Sequence, residues 1–263
     1  MPSTYAHYIF GEEVYRNTPN EIKKIIKENY DLYLIGLHGP DILFYYKPLK
    51  SNSINQIGFG LHQKIAIDFL EKARQTIINY KNRDEAIAYI LGFICHFMLD
   101  SECHGYIGDK INNSGITHAE IEVEFDRYLL VKQNKNPIKT KLTEHIIINK
   151  ENAECIECFY DGASDKEVFR ALKSMKHYNN LLCAPGKLKR KIVLMLLKLS
   201  GNHKEMSGLL MNYEANPQCI DSSEELQRRL SNIVLSTVAL MKEYYENIGT
   251  SEQLNKRFRK NFE

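Results

Sequence analysis

The chain has 263 residues and a net charge of +2, with no Trp, no low-complexity tract and no internal repeat. That length suffices for one large domain or two small ones and buries a core without disulfide staples. A charge so close to zero singles out no class of partner for the chain as a whole.

The first residues, Met1-Pro-Ser-Thr-Tyr-Ala-His7, lack the basic start and apolar core of a signal peptide. No run of 18 uncharged apolar residues follows that would span a membrane. A cytoplasmic location is therefore expected, with the six Cys reduced and Cys155-Ile-Glu-Cys158 standing alone as a Cys-x-x-Cys pair. Residues 4–16 set His7 and Val14 on one helical face, and the chain breaks at Asn17-Thr-Pro-Asn20. Asn20 reads as the N-cap of a helix over 21–29. Within 32–46 the turn Gly36-Leu-His38-Gly-Pro-Asp41 stops a helix at Gly39 and Pro40 and presents Asp41. A solvent loop over 51–55 leads through Gly58-Phe-Gly60 into a helix starting near Leu61. Its Ile65, Phe69, Ala73 and Ile77 should face inward, with His62 on the same side.

From 86 to 99 almost every residue is apolar, so the helix there should run through the centre of the protein. His96 and Asp100 lie four apart on it, hence on one face. A buried ionised carboxylate is costly unless it is paired or bound to a metal. The device recurs at His118 and Glu122, in a helix opened by Thr117 and running to about 132, and His104 lies between the two pairs.

Asn134-Lys-Asn-Pro137 is the best candidate for a boundary. It would divide a metal-binding helical core over 1–133 from additional helices over 134–263, packed on that core as one domain. Helical periodicity continues over 141–149, 152–160, 164–178, 188–199, 203–211 and 223–247. Turn signals at Ala184-Pro-Gly186 and Asn216-Pro217 separate some of these segments. With no convincing hairpin or alternating pattern, the expected fold is all-α, a multi-helix bundle around a buried central helix. Between Val168 and Lys204 there are nine Lys and Arg and no acid. The stretch 187–199 reads as a peripheral membrane contact, a face for nucleic acid, or a core helix with a solvated basic start.

Set against apolar faces are His7, Asp41, His62, His96, Asp100, His104, His118 and Glu122. A single His of this kind is ordinarily a hydrogen-bonded core residue. Together the eight supply the nitrogen and oxygen donors that suit zinc, with manganese or iron as alternatives. At three or four ligands per ion the inventory serves two ions, with a third less certain.

In order and rough spacing these residues resemble the zinc-dependent phospholipase C family of bacteria, whose deeper relatives include the single-strand-specific zinc nucleases. The resemblance covers about residues 1–130. It implies a mostly helical fold in which His62, His96 and Asp100 with Asp41 hold one zinc and His104, His118 and Glu122 a second. His7 and Asp100 would hold a third, with Asp100 bridging. His104 comes two residues sooner than in the secreted members, and the Trp that opens those members is absent.

The expected activity is hydrolysis of an anionic phosphodiester at a multinuclear metal site, with Asp41 orienting or deprotonating the water. A phospholipid substrate is favoured over nucleic acid. A nuclease or nucleotidase on the same scaffold, and a non-catalytic helical protein stabilised by its ions, are the alternatives. His38 is an added candidate for proton transfer or for stabilising its turn, and Tyr45, Tyr46 and Phe59 could line a pocket or pack in the core.

Overall fold

A computed structural model describes residues 4–199 and 208–262, which form α- and 3-10 helices with no strand among the described residues. The fold is all-α. Its helices are α1 (Thr4–Asn17), α2 (Asn20–Glu28), α3 (Tyr30–Gly36), α4 (Ser53–His62), α5 (Ala66–Asn79), α6 (Arg83–Ser114), α7 (His118–Lys132), α8 (Lys150–Glu157), α9 (Asp165–Leu182), α10 (Lys187–Leu199) and α11 (Ile220–Glu246).

The chain divides into two compact units. The first takes residues 7–101, 145–175 and 232–263, and the second takes 1–6, 102–144 and 176–231, in each case as far as they are described. In the first unit every residue from Ala86 to Leu99 is buried. By length and composition α6 could cross a membrane, but 89% of its most apolar window is buried inside the protein. Those side chains are core. Tyr89, Phe93 and Phe97 pack there among Tyr33, Tyr160 and Phe262, each fully buried side chain contributing roughly 1.5–3 kcal/mol. The buried tyrosine hydroxyls are satisfied: Tyr33 donates to the Gly11 carbonyl at 2.8 Å, Tyr244 donates to that of Leu70 at 3.0 Å, and Tyr89 and Tyr160 pair at 2.6 Å. Arg74, also buried, donates to the carbonyls of Asn247 and Glu252 at 2.8 and 2.9 Å, fastening the chain beyond α11 onto α5.

Two glycines fix how α3 meets α6. A Cβ on Gly36 would fall 2.2 Å from the Tyr89 carbonyl oxygen, and one on Gly92 would fall 2.2 Å from that of Tyr33. The two backbones therefore touch. That contact sets the start of the turn that follows α3.

In the second unit α7 buries Ile121, Phe125, Leu129 and Leu130. Asp126, fully buried on the same helix, accepts the amide hydrogens of Tyr5 and Ala6 at 3.1 and 2.8 Å. A carboxylate suits the unsatisfied amides of a first helical turn, so Asp126 anchors the start of α1.

Several sequence expectations shift. Asn20 opens α2 as its first residue, and the residue before it is Pro19, which supplies no side-chain cap. The span 39–45 winds into a 3-10 helix. Of the expected solvent loop at 51–55, residues 53–55 are the start of α4 and Asn52 is its N-cap, accepting from the amides of Ile54 and Asn55 while the Asn55 side chain accepts from the Asn52 amide. This reciprocal capping box satisfies exposed donors with polar residues that otherwise read as loop. His62 consequently closes α4 instead of opening the next helix, and Ile65, in extended backbone before α5, is exposed. Residues 141–149 form turns and irregular chain, not a helix. The expected helix over 203–211 lies mostly outside the described residues, and 208–211 are non-helical.

Candidate metal centres

The first unit gathers five of the eight candidate ligands. α1 brings His7, the 3-10 turn brings Asp41, α4 brings His62, and α6 brings His96 and Asp100. Donor atoms of His7, His96 and Asp100 lie within 4.8 Å of one another, and so do those of Asp41, His62 and His96. The two groups overlap at His96. Asp100 divides its oxygens: Oδ1 is 3.1 Å from His7 Nε2, while Oδ2 is 3.1 Å from His96 Nε2 and 3.7 Å from His62 Nε2. Asp41 Oδ1 stands 3.0 Å from His62 Nε2 and 3.8 Å from His96 Nε2.

Local structure aims these side chains. Gly39 has φ +46°, a left-handed value that favours glycine, and a Cβ there would come within 2.3 Å of the His96 ring. The turn thus lies directly on His96 and carries Asp41 into the interior, where it is buried. His62 directs Nδ1 at the Gly58 carbonyl, 3.0 Å away, one turn back on α4. A donor hydrogen bond through Nδ1 leaves Nε2 to face the carboxylates, the arrangement a metal-binding imidazole uses. Phe262, from the far end of the chain, packs on the His62 and His96 rings at 4.9 and 5.8 Å. Its segment is pinned by the Ala66 amide donating to the Lys260 carbonyl at 3.0 Å.

Charge is shared unevenly. Burial alone would lower the His62 pKa, but the nearby Asp100 and Asp41 carboxylates outweigh it and hold the imidazolium up to about 10. Burial works against ionisation of Asp41, yet the adjacent His96 and His62 keep its carboxyl below the usual range. His7 is pushed down by burial and by neighbouring His96, with Asp100 opposing.

The second unit gathers the other three candidates. His104 lies in the last third of α6, His118 opens α7, and Glu122 stands one turn further on, with donor atoms again within 4.8 Å of one another. Glu122 Oε1 is 3.0 Å from His118 Nε2 and 3.6 Å from His104 Nε2. Thr117 caps α7 by accepting the Glu120 amide at 3.3 Å, which fixes the register that puts His118 and Glu122 on one face.

Both ring nitrogens of the fully buried His96, Oδ1 of Asp41 and Nε2 of His118 complete no hydrogen bond among the described residues. Their near neighbours are the imidazoles and carboxylates of the same donor groups, so a cation at Nε2 of His96 with Asp41 or Asp100, and another at His118 with Glu122, would give these atoms a partner. Imidazole nitrogens mixed with one or two carboxylates are a donor set that zinc accepts.

A family model for zinc-dependent phospholipase C matches residues 6–169, well over half of the chain and a span that contains all eight candidate ligands. The chain belongs to the zinc-dependent phospholipase C family. No curated protein and no solved structure matches it. Membership and the buried donor groups together support a zinc phosphodiesterase type of hydrolase.

For this family member, several residues around the centre escape sequence reading. His145, in the non-helical stretch after α7, brings Nε2 to 2.8 Å from His38 Nε2 and stacks on Tyr8 at 4.5 Å. His38 is buried, and burial together with His145 holds its pKa well below the ordinary value. It is therefore neutral, and the pair braces the turn that carries Asp41. Phe262 lies far beyond the matched span, and nothing in its sequence neighbourhood marks it. Of the expected pocket aromatics, Tyr46 is buried. Phe59 is 43% exposed and stacks on Phe44, whose ring in turn lies 5.1 Å from that of His62. Cys155 and Cys158 are both free, and burial raises the Cys155 thiol to about 12.

Proposed function

We propose that the chain hydrolyses phosphodiesters in the manner of a phospholipase C. The multinuclear centre would be built from His7, Asp41, His62, His96 and Asp100 in the first unit. His104, His118 and Glu122 form a further donor group in the second. The observation that carries this reading is the convergence of imidazole and carboxylate donor atoms within 4.8 Å of one another, among them buried atoms of His96, Asp41 and His118 that complete no hydrogen bond among the described residues.

Zinc at such donors supplies Lewis acidity, making water a nucleophile near neutral pH and offsetting charge on a phosphoryl oxygen. The chain's own residues do the rest. Asp41, a carboxylate held at the centre by its turn, accepts the proton of the water whose oxygen attacks phosphorus. As that P–O bond forms, the bond to the alcohol breaks and the leaving oxygen takes up the proton that Asp41 accepted, directly or through solvent, which returns Asp41 to its ionised form. Asp100, with oxygens toward His7 and toward His96, orients both imidazoles. Phe59 gives the surface near His62 an apolar character that favours a lipid phosphodiester.

The test is turnover of a choline phospholipid, an aryl phosphodiester and single-stranded DNA by protein loaded with zinc. Release of the phosphorylated head group supports the proposal. Turnover of DNA alone assigns the site to a nuclease, and no turnover of any substrate by zinc-loaded protein assigns the ions to structure.

A further inference from the structure

α10 lies beyond the span that matches the family. One side of it is committed to the second unit. Val193 is buried against Ala184 and Leu210, and Arg190 donates to the Met211 carbonyl at 2.7 Å and to Asn212 Oδ1 at 3.0 Å. The other side is not what a solvated helix presents. Leu188 is 74% exposed, Met195 55%, Leu196 51% and Ile192 46%. Leu188, Ile192 and Met195 follow one another at helical spacings of four and three, so they form a continuous stripe with Leu196 beside it. Exposed Lys187, Lys191 and Lys198 run along one flank, and no acidic residue occurs anywhere from 168 to 204.

Scattered single apolar residues on a surface need no explanation, but a stripe of four on one helix does. A polynucleotide would use the lysines and leave the stripe wet. A second copy of the chain would bring its own lysines against these. An anionic bilayer surface matches both features at once, taking up the apolar side chains between head groups while the lysines meet lipid phosphates.

We infer that α10 is an interfacial helix that seats the second unit on an anionic phospholipid surface. The inference stands on the surface of α10 and not on the metal centre, so either can fail alone. The outward side chains are exposed, Leu188 and Met195 most of all, so polar replacements at those two positions should leave the fold intact.

Co-sedimentation of zinc-loaded, full-length protein with phosphatidylcholine vesicles, with and without phosphatidylglycerol, tests it. Binding should require the anionic lipid. Leu188→Gln with Met195→Gln should lower vesicle partitioning by at least about tenfold. Lys191→Gln with Lys198→Gln should lower it by about tenfold or more at low salt, with the difference shrinking at high salt. Both variants should keep the wild-type circular dichroism and the wild-type turnover of a soluble aryl phosphodiester. Equal vesicle binding by wild type and variants would overturn the inference. So would a wild type that ignores vesicles but binds single-stranded DNA through these lysines, or a wild-type dimer that the Leu188 and Met195 changes convert to monomer.

Discussion

His62 Nε2 faces Asp41 Oδ1 at 3.0 Å, while the opposite nitrogen of the same ring is held 3.0 Å from the Gly58 carbonyl. The imidazole is thereby aimed before any cation arrives, and without one the carboxylates make it a cation itself. Its folded pKa of about 10 lies above the ordinary 6.5. The stability it contributes to the metal-free protein is fully present below pH 6.5 and is lost as pH rises through 10.

Metal binding must displace that proton. Calorimetric titration of zinc into the chelated protein at pH 7, in buffers of different ionisation enthalpy, should show release of about one proton from His62. Apparent affinity should fall as pH is lowered. Zinc binding with no proton release would mean that His62 stays charged and lies outside the centre.

Asp100→Ala removes the carboxylate that lies among His7, His96 and His62. It should lower stability by about 3 kcal/mol in the metal-free protein, because the buried His62 imidazolium loses one of its two carboxylates and His7 and His96 lose their nearest carboxylate. Zinc content should fall along with the melting temperature. Zinc content and melting temperature both matching wild type would remove Asp100 from the centre.

Gly39→Ala tests the turn. A Cβ at φ +46° costs about 1–2 kcal/mol of backbone strain, and its overlap with the His96 ring at 2.3 Å forces either the turn or the ring to move. Zinc content and phosphodiester turnover should drop further than stability alone accounts for. A variant with wild-type zinc content would show that the turn and His96 adjust independently.

Phe262→Ala should cost about 3–5 kcal/mol as a large-to-small change in a packed core. Because the ring lies against His62 and His96, zinc should also be held less tightly, as read by competition with a chromogenic chelator. Unaltered zinc affinity would make Phe262 a core residue without influence on the centre.

What could be read in the sequence was what helical spacing controls. His96 with Asp100 and His118 with Glu122 stand four apart on unbroken helices, so their shared faces follow from 3.6 residues per turn. Asp41 was legible as the residue that a Gly-Pro turn presents, though its burial depends on how Gly36 meets Gly92. Local pattern assigns His62 to the helix that follows, whereas it closes α4, because an Asn at the N-cap and another three residues later resemble loop and only their reciprocal hydrogen bonds mark a helix start. Residues 141–149 carry a helical period, yet the chain there is turns and irregular backbone, which delivers His145 to His38. Phe262 and Asp126 act over 200 and about 120 residues of separation. No local pattern encodes contacts of that range.

The central proposal is that the donors around His96 hold the zinc on which phosphodiester hydrolysis depends. Its most direct measurement is turnover of a choline phospholipid after exhaustive chelation and again after stepwise return of zinc, for wild type and His96→Ala. Wild-type activity should vanish on chelation and return with stoichiometric zinc, while His96→Ala should stay at least about a hundredfold lower at every zinc level. Full turnover in chelated wild-type protein, or equal recovery in His96→Ala, would contradict it.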